Sequence, residues 1–400
     1  MTSASQAPRS RPLVVSVLGL TQIMAWGTSY YLLAVLAVPI SRDMGWSLGW
    51  VVGGMSCALV AAGLVSPVVG RMVQEHGGRP VLATSSLLLA GGLAGVGLAT
   101  SLPAYLAAWT LVGAGMGAGL YDAAFATLGS LYGRSARAAI VTLTLFGGFA
   151  STACWPLSAL LLDHVGWRNT CLIYAAVQLL VSLPLHLAII PASPAPALLT
   201  PAASDAPTLT GTRQRSALLL LGVIVTLVAT GATMMSVHLL TLLQAQGISL
   251  AVAVGFGAMI GPAQVGGRVV EMLFGRHYHP IWTMLASVTL IGIGLLVLLA
   301  GTPLTAMGLI VYGAGNGIHS IARGALPLAL FDARAYAGIM GRLARPKQFA
   351  EAAAPAVGAY LLQHGGPSWL LGLLVGLAGV ALGCATALWR VARSGDRPVH

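Results

Sequence analysis

The sequence predicts an all-α integral membrane protein, with twelve transmembrane helices in two pseudo-symmetric six-helix bundles. Three observations carry this prediction. Apolar residues make up 57% of the 400-residue chain, charged residues make up only 7%, and the two halves repeat each other. A soluble domain has about 25% charged residues, whereas the mean hydropathy here is +0.87. So few charges cannot cover a water-facing surface, and the lipid bilayer is therefore the expected partner.

Apolar runs of about 20 residues, the length that crosses a hydrocarbon core about 30 Å thick, recur along the whole chain. Because backbone polar groups find no water inside a membrane, each run is predicted to be a helix. The first run is too long for the apolar core of a signal peptide, so it is counted as helix 1. The predicted spans are 13–38, 48–70, 80–100, 103–130, 138–161, 170–190, 216–242, 249–267, 280–301, 303–329, 337–362 and 369–390.

The distribution of arginines between the loops indicates the orientation. Only Arg42 and Arg168 fall on one side, against fourteen arginines on the other. Since basic residues concentrate in cytoplasmic loops, both termini are predicted to be cytoplasmic, in a multi-pass protein of the bacterial inner membrane. The net charge of +11 then indicates anchoring and no nucleic-acid partner. The fourteen are Arg9, Arg11, Arg71, Arg79, Arg134, Arg137, Arg213, Arg215, Arg268, Arg276, Arg334, Arg390, Arg393 and Arg397.

A segment rich in Pro, Ala and Thr, "PASPAPALLTPAASDAPTLTGTRQR", divides the predicted helices six and six. It has no helical period, which is typical of a flexible linker. The predicted organisation is an N-terminal bundle (1–190), a cytoplasmic linker (191–215) and a C-terminal bundle (216–400).

The two halves repeat each other at an offset of about 200 residues. "GRMVQEHGGR" (70–79) matches "GRVVEMLFGR" (267–276) at five of ten positions, and "GAGMG" (113–117) matches "GAGNG" (313–317). Further along, "LLDHVG" (161–166) matches "LLQHGG". Matches in the same order at a nearly constant offset indicate a duplication.

A twelve-helix chain with these loop motifs after helices 2 and 8, and "GWR" (166–168) before helix 6, resembles the major facilitator superfamily (MFS). The resemblance implies two parallel bundles with the substrate between them. Gln74 replaces the usual acidic residue of the first motif. Helix 5 carries "GGFASTACWPL" where drug antiporters of the family have a Gly-Pro motif. The chain is loosely similar to the branch that carries monocarboxylates and oxalate.

The segment "GRLARPKQFAEAAAP" (341–355) brings Arg342, Arg345, Lys347 and Glu351 into predicted helix 11. The repeat aligns Lys347 with the middle of helix 5, near the bilayer midplane. A charge at that depth costs about 3 kcal/mol or more, so it is expected to face a watery cavity or a partner. Embedded cations outnumber embedded anions, which predicts an anionic substrate bound by Arg345, Lys347 and Arg342. A structural pairing of Lys347 with Glu351 is the alternative.

Resemblance to the MFS also implies a gate that holds the cytoplasmic side shut. In the family, charges of the loop motif pair with a charged residue near the inner end of helix 4. Carried onto this chain, Asp122 pairs with Arg71 or Arg79 and, with the signs reversed, Arg323 pairs with Glu271. A proton-carrying role for Asp122 is the alternative.

Polar and aromatic residues on helices 1, 8 and 10 are predicted to shape the substrate pocket, because they share faces of their helices at mid-membrane depth. Interface anchoring is the alternative for the aromatic residues of helix 1. Glu351 and His319 are predicted to carry a coupled proton. The predicted pocket residues are Gln22, Trp26, Tyr30, Gln264, Tyr312 and Asn316.

These features predict a secondary transporter that moves a small, monocarboxylate-like organic anion by alternating access, with proton coupling or exchange. A proton-coupled efflux pump for drugs or toxic metabolites is the alternative. Short loops disfavour a membrane sensor, and no paired acidic site or activated nucleophile supports an enzyme. The four cysteines have no metal spacing, so neither a metal nor a cofactor is predicted. One chain supplies a complete pathway, which predicts a monomer.

Overall fold

The computed structural model describes residues 10–192, 209, 211–301 and 303–393, which form helices and short connections. The all-α prediction is therefore confirmed. Residues 193–208 of the predicted linker and both chain ends lie outside the described residues. The helices are α1 (Arg11–Thr28), α2 (Leu33–Met44), α3 (Leu48–His76), α4 (Gly78–Leu98), α5 (Leu102–Gly119), α6 (Tyr121–Tyr132), α7 (Ala136–Gly148), α8 (Ala150–Val177), α9 (Leu183–Ile189), α10 (Gly211–Ala245), α11 (Leu250–Phe274), α12 (Pro280–Ala300), α13 (Thr305–Leu330) and α14 (Tyr336–Arg393).

Eight of the described helical stretches are long and apolar enough to cross a membrane. Two of them, Leu102–Ile189 and Tyr336–Arg393, are 88 and 58 residues long, far more than the roughly 20 residues of one crossing. The predicted number of twelve crossings stays a prediction. Large apolar side chains face outward, among them Leu180 and Leu219, both 71% exposed, as a surface in contact with lipid requires.

Both of the longest helical stretches change direction at a glycine. Gly166 inside α8 has a φ of 76°, and Gly366 inside α14 has a φ of 69°. Only glycine adopts such a backbone without strain from a Cβ atom. The two glycines are about 200 residues apart, the same offset as the sequence repeat, so the repeat recurs in the backbone.

Close helix packing recurs at the same offset. Gly113 and Gly117 on α5 face the backbone of α3, whereas Gly313 and Gly317 on α13 face the backbone of α11. At Gly113, Gly117 and Gly317 a Cβ atom would collide with the main chain of the neighbouring helix, and at Gly313 it would make a tight contact of 3.0 Å with that main chain. Small residues are what allow membrane helices to approach this closely.

Buried apolar side chains form three clusters. One takes its buried members only from residues 217–388, and a second takes them only from residues 25–175. The third combines residues between 14 and 190 with Leu328, Tyr336, Ala337 and Met340 of the second half. This third cluster lies at the end of the molecule that the arginines predict to be cytoplasmic, hereafter the inner end. The two halves therefore share a packed core there.

The glycine contacts lead to a stability prediction. Replacing Gly113 or Gly317 with Ala is expected to lower the melting temperature, because each new Cβ would meet main-chain atoms that cannot move aside. Overpacking of this kind costs about 1–3 kcal/mol. Thermal unfolding of the purified protein in detergent, followed by tryptophan fluorescence, measures the effect.

Gly53→Ala in α3 is the matched control, because a Cβ at Gly53 has no neighbour within 4 Å. Its melting temperature is expected to equal or slightly exceed that of the wild type, since Ala favours a helix more than Gly. Equal melting temperatures in all four proteins would contradict the close-packing interpretation.

Candidate substrate-binding site

Two adjoining chambers form a central cavity between the helices of the two halves. The inner chamber has a volume of about 220 Å³. The outer chamber, which lies farther from the inner end, has a volume of about 540 Å³. A concave space with a few convergent polar groups is the usual form of a small-molecule site. Both chambers are lined by Trp26, Tyr31, Tyr121, Ala232, Ser236, Gln264, Arg268 and Asn316.

Asp122 on α6 is the centre of a buried ion cluster that lines the inner chamber. Its Oδ1 lies 3.3 Å from Nη1 of Arg323 on α13, and its Oδ2 accepts a hydrogen bond of 2.6 Å from Nζ of Lys347 on α14. The side chains of Asp122, Arg323 and Lys347 are 15%, 12% and 7% exposed. Because a buried charge is costly without a partner, this cluster ties the first half to the second.

An interruption between α5 and α6 positions the aspartate. Leu120 has an extended backbone, with a ψ of −171°, and Asp122 follows it in the first turn of α6. The first turn is the positive end of the helix dipole, which stabilises a carboxylate. At the interruption, Nε2 of Gln22 donates a hydrogen bond of 2.6 Å to the carbonyl of Gly119. Gln22 lines neither chamber, so the predicted substrate contact is instead a contact that supports the interrupted helix.

The structure pairs Asp122 differently from the prediction. Its partners are Arg323 and Lys347, and not Arg71 or Arg79. The physical reason is depth in the membrane. Arg71 and Arg79 flank the connection between α3 and α4 at the inner end, and Arg71 is exposed there, whereas Asp122 faces the central cavity.

Glu271 on α11 pairs with Arg137 on α7, and not with Arg323 as predicted. Nη2 of Arg137 lies 3.3 Å from Oε1 of Glu271. The same guanidinium donates hydrogen bonds to the carbonyls of Gly275 (2.6 Å) and Tyr278 (2.8 Å). Since α7 belongs to the first half and α11 to the second, this network closes one side of the inner end.

Glycines make the contact on the opposite side of the inner end, between α3 and α14. A Cβ on Gly70 or Gly341 would collide with the backbone of the other helix. Gln74, the repeat counterpart of Glu271, lies beside Gly338. Main-chain packing therefore replaces the ion pair on this side.

Arg342 and Arg345 are exposed on α14 and line neither chamber. Two residues turn a helix by about 200°, so Arg345 faces outward where Lys347 faces inward. The guanidinium of Arg345 lies 5.9 Å from the ring centre of Phe349. The predicted assignment of Arg342 and Arg345 as substrate ligands is corrected accordingly.

Arg268 on α11 is a cavity residue that the sequence reasoning missed. The loop count places it in the cytoplasm, whereas the structure buries it inside the helix, with 5% of its surface exposed. Its Nη1 donates to the carbonyl of Thr144 (3.0 Å) and its Nε donates to Oγ of Ser320 (3.1 Å). No carboxylate among the described residues forms an ion pair with it. A signal existed, because Arg268 follows Gln264 by one helical turn.

Aromatic residues collect where helix 1 is interrupted, between α1 and α2. Trp26 and Tyr30, both predicted, line the inner chamber, with ring centres 5.2 Å apart. Tyr31 and Tyr121, which the sequence reasoning did not single out, complete the group, with ring centres 6.0 and 5.1 Å from that of Trp26. The helix 1 aromatics therefore face the cavity.

The predicted polar residues of the tenth transmembrane span, which is α13 in the structure, also face the cavity. Tyr312 lines the outer chamber, His319 the inner one, and Asn316 both. Nδ2 of Asn316 donates to the hydroxyl of Tyr312 at 3.4 Å. Neither ring nitrogen of His319 has a hydrogen-bond partner among the described residues, although the side chain is buried.

Glu351 on α14 lines the inner chamber one helical turn from Lys347. It has no ion pair or hydrogen bond with any described residue, and Lys347 points to Asp122 instead. In the described part of the chain, no group of three or more His, Cys, Asp or Glu side chains is placed to hold a metal ion.

Known proteins with the same fold are membrane transporters. The human organic anion transporter MFSD10 (TETRAN) superposes with a TM-score of 0.75 at 18% identity, over 95% of this chain and 100% of that one. The proton:xylose symporter XylE has a TM-score of 0.73 at 13% identity, over 94% and 95% of the two chains. The E. coli fucose:proton symporter FucP has a TM-score of 0.67 at 15% identity, over 97% and 99%. No curated protein sequence matches the chain.

A family comparison based on sequence covers most of the chain. The Major Facilitator Superfamily profile matches residues 18–341, which include α2 to α13 and most of the residues that line the central cavity. Together with the all-helical fold and the apolar membrane-spanning helices, this match confirms the resemblance drawn from the loop motifs. The chain belongs to the major facilitator superfamily, and it is a multi-pass membrane protein for secondary transport and not an enzyme.

Proposed function

We propose that the chain moves a small organic anion across the bacterial inner membrane by alternating access, coupled to protons or by exchange. In this proposal one chain acts as a monomer, with both termini cytoplasmic. Residues 1–190 and 216–400 form the two bundles, joined by the linker 191–215. The bundles rock against each other and expose the central cavity to each side in turn.

The observation that carries the proposal is the state of Arg268. This guanidinium is buried, lines both chambers and has no carboxylate partner among the described residues. A buried cation without an anion is costly, and a substrate carboxylate would supply the missing charge. The planar guanidinium also suits two parallel hydrogen bonds to a carboxylate. The fold that the chain shares with a human organic anion transporter is compatible with this assignment.

The remaining polar groups of the cavity have complementary roles in the proposal. Gln264, Asn316 and Tyr312 contact the substrate beside Arg268, and Trp26 and Tyr30 form the opposite wall. Lys347 and Arg323 act through the ion cluster with Asp122, which holds the inner end shut together with Glu271. Arg71 and Arg79 lie beside that end, and they have no ion pair with Asp122 in this proposal.

Opening of the inner end must separate Asp122 from its two cations. Lys347 then needs another anion, and Glu351 is four residues away on the same helix, within the reach of such a pair. We assign the coupled proton to Glu351. It is protonated while Lys347 binds Asp122, and it releases the proton when it accepts Lys347. His319, buried in the same chamber without a partner, can relay that proton.

Efflux of lipophilic cations is the second candidate function. The observation in its favour is Glu351, a carboxylate without an ion pair in a chamber walled by aromatic rings. Aromatic faces attract cations, and a nearby carboxylate adds to that attraction. In this case Glu351 would bind the substrate, and Arg268 would keep only its hydrogen bonds between helices.

Anion binding is expected to depend on Arg268. A thermal-shift panel of aliphatic and aromatic monocarboxylates should contain at least one class that raises the melting temperature of the wild type. Arg268→Gln should weaken its affinity about ten- to hundredfold, because hydrogen bonds to a charged group contribute about 1.5–3 kcal/mol. Arg268→Lys should retain part of the binding.

Arg345→Gln is the matched control, since it removes the same charge from the exposed face of α14. It should bind as the wild type does, and melting without ligand reports whether each variant is folded. Loss of binding in Arg345→Gln but not in Arg268→Gln would contradict the assignment of Arg268 as the ligand of the anion. Stabilisation by tetraphenylphosphonium alone, unchanged in Arg268→Gln, would favour efflux.

Proton movement is expected to depend on Glu351. In liposomes that contain a pH-sensitive dye, Glu351→Gln should abolish substrate-driven proton movement but retain substrate exchange, because Gln cannot release a proton. Asp163→Asn, which removes an exposed carboxylate, is the control and should behave as the wild type. Proton movement at the wild-type rate in Glu351→Gln would remove this residue from the coupling mechanism.

A further inference from the structure

The two halves line the inner chamber with different chemistry. The first half contributes rings and apolar side chains, and Asp122 is its one charged residue there. The second half contributes most of the polar groups, among them Gln264, Arg268, Asn316 and Lys347. A ligand that fits between these walls has an apolar face and a polar, negatively charged edge.

The apolar wall is built from aromatic rings around Trp26. The ring centres of Tyr30 and Tyr121 lie 5.2 and 5.1 Å away, and Tyr31 connects the group to Trp155 at 5.9 Å. Trp26, Tyr30 and Tyr31 are only partly buried, so part of their surface remains open to the cavity. The indole Nε1 of Trp26 has no hydrogen-bond partner among the described residues. Such a group offers edges and faces against which a planar ring packs at 4.5–7 Å.

One carbonyl joins the aromatic wall to the charged group. The hydroxyl of Tyr121 donates to the carbonyl oxygen of Thr144 at 3.3 Å, and Nη1 of Arg268 donates to the same oxygen at 3.0 Å. The end of α7 leaves room for both side chains, because a Cβ on Gly147 would meet the Tyr121 hydroxyl and one on Gly148 would meet Arg268. The guanidinium is therefore held directly beside the rings.

This spacing limits the ligand. A carboxylate at Arg268 puts the atoms attached to it against the aromatic wall. The volumes also agree, since an apolar cavity of about 150 Å³ holds benzene and the chambers measure about 220 and 540 Å³.

We infer that the substrate class is an aromatic carboxylate, with its ring on the wall of Trp26, Tyr31 and Tyr121 and its carboxylate on Arg268. The inference rests on the proposed function, because it assumes that the site of the transported anion is this cavity. It adds the chemistry of the anion's body, which the charge of Arg268 alone does not define.

Three carboxylates test the inference by titration of the purified protein. Benzoate is the aromatic probe, cyclohexanecarboxylate has the same ring size and charge without a π face, and propionate has neither ring nor bulk. Benzoate is expected to bind about three- to tenfold more tightly than cyclohexanecarboxylate, the range that an aromatic pair contributes. Propionate is expected to bind more weakly than both.

Trp26→Leu is expected to reduce the ratio of the benzoate and cyclohexanecarboxylate affinities to about one. Trp50→Leu makes the same change at a tryptophan that is 58% exposed and lines neither chamber, and it should leave the ratio unchanged. If Trp26→Leu does not fold, Tyr31→Leu tests the same wall.

The results of these titrations distinguish a failure of the aromatic-carboxylate inference from a failure of the proposed function. Equal affinities for benzoate and cyclohexanecarboxylate, both lost in Arg268→Gln, would overturn the aromatic class and leave the anion proposal standing. No binding of any carboxylate, with binding of benzyltrimethylammonium, would overturn the proposed function itself. A benzoate preference that Trp26→Leu and Tyr31→Leu both leave intact would place the ring elsewhere and also overturn the inference.

Discussion

The pairing of Asp122 with Arg323 and Lys347 is the interaction on which the rest of the structure depends. One half of the protein brings a single anion to this cluster and the other half brings two cations. Each half alone would therefore expose an unpaired charge to an environment that cannot solvate it. The cluster makes close contact of the halves favourable at this depth, and it leaves a surplus positive charge facing the chambers. Both the closed inner end and the chemistry of the cavity follow from it.

The duplicated halves have kept the features that the backbone needs. Gly113 corresponds to Gly313, and Gly166 corresponds to Gly366, because each pair is required by a close helix contact or a positive φ. The side chains that face the cavity have diverged instead, so that the rings come from one half and most hydrogen-bonding groups from the other. The shared backbone therefore holds two cavity walls of different chemistry.

Much of this architecture could be predicted from the sequence, because composition and apolar run length report directly on the solvent. Helical periodicity likewise predicted that Trp26, Tyr30, Asn316 and His319 face one cavity. The partners of the ion pairs were harder to predict from the sequence, because they depend on which face of a helix turns inward. Arg71 and Arg268 occupy the same position of the repeat, yet one is exposed and the other is buried. The interruption at Leu120, which sets the depth of Asp122, also left no clear signal beyond a run of glycines.

The two sides of the inner end are closed by contacts of different range. Between α3 and α14 the main chains touch at Gly70 and Gly341, and dispersion forces fall off within about one ångström of separation. Between α7 and α11 the long side chain of Arg137 can follow Glu271 while the helices move apart. The glycine contact therefore tolerates little separation of the helices, whereas the Arg137–Glu271 ion pair tolerates more. As the halves separate, the glycine contact would be lost before the ion pair. The length of the side chains thus determines the order in which the two sides of the inner end open.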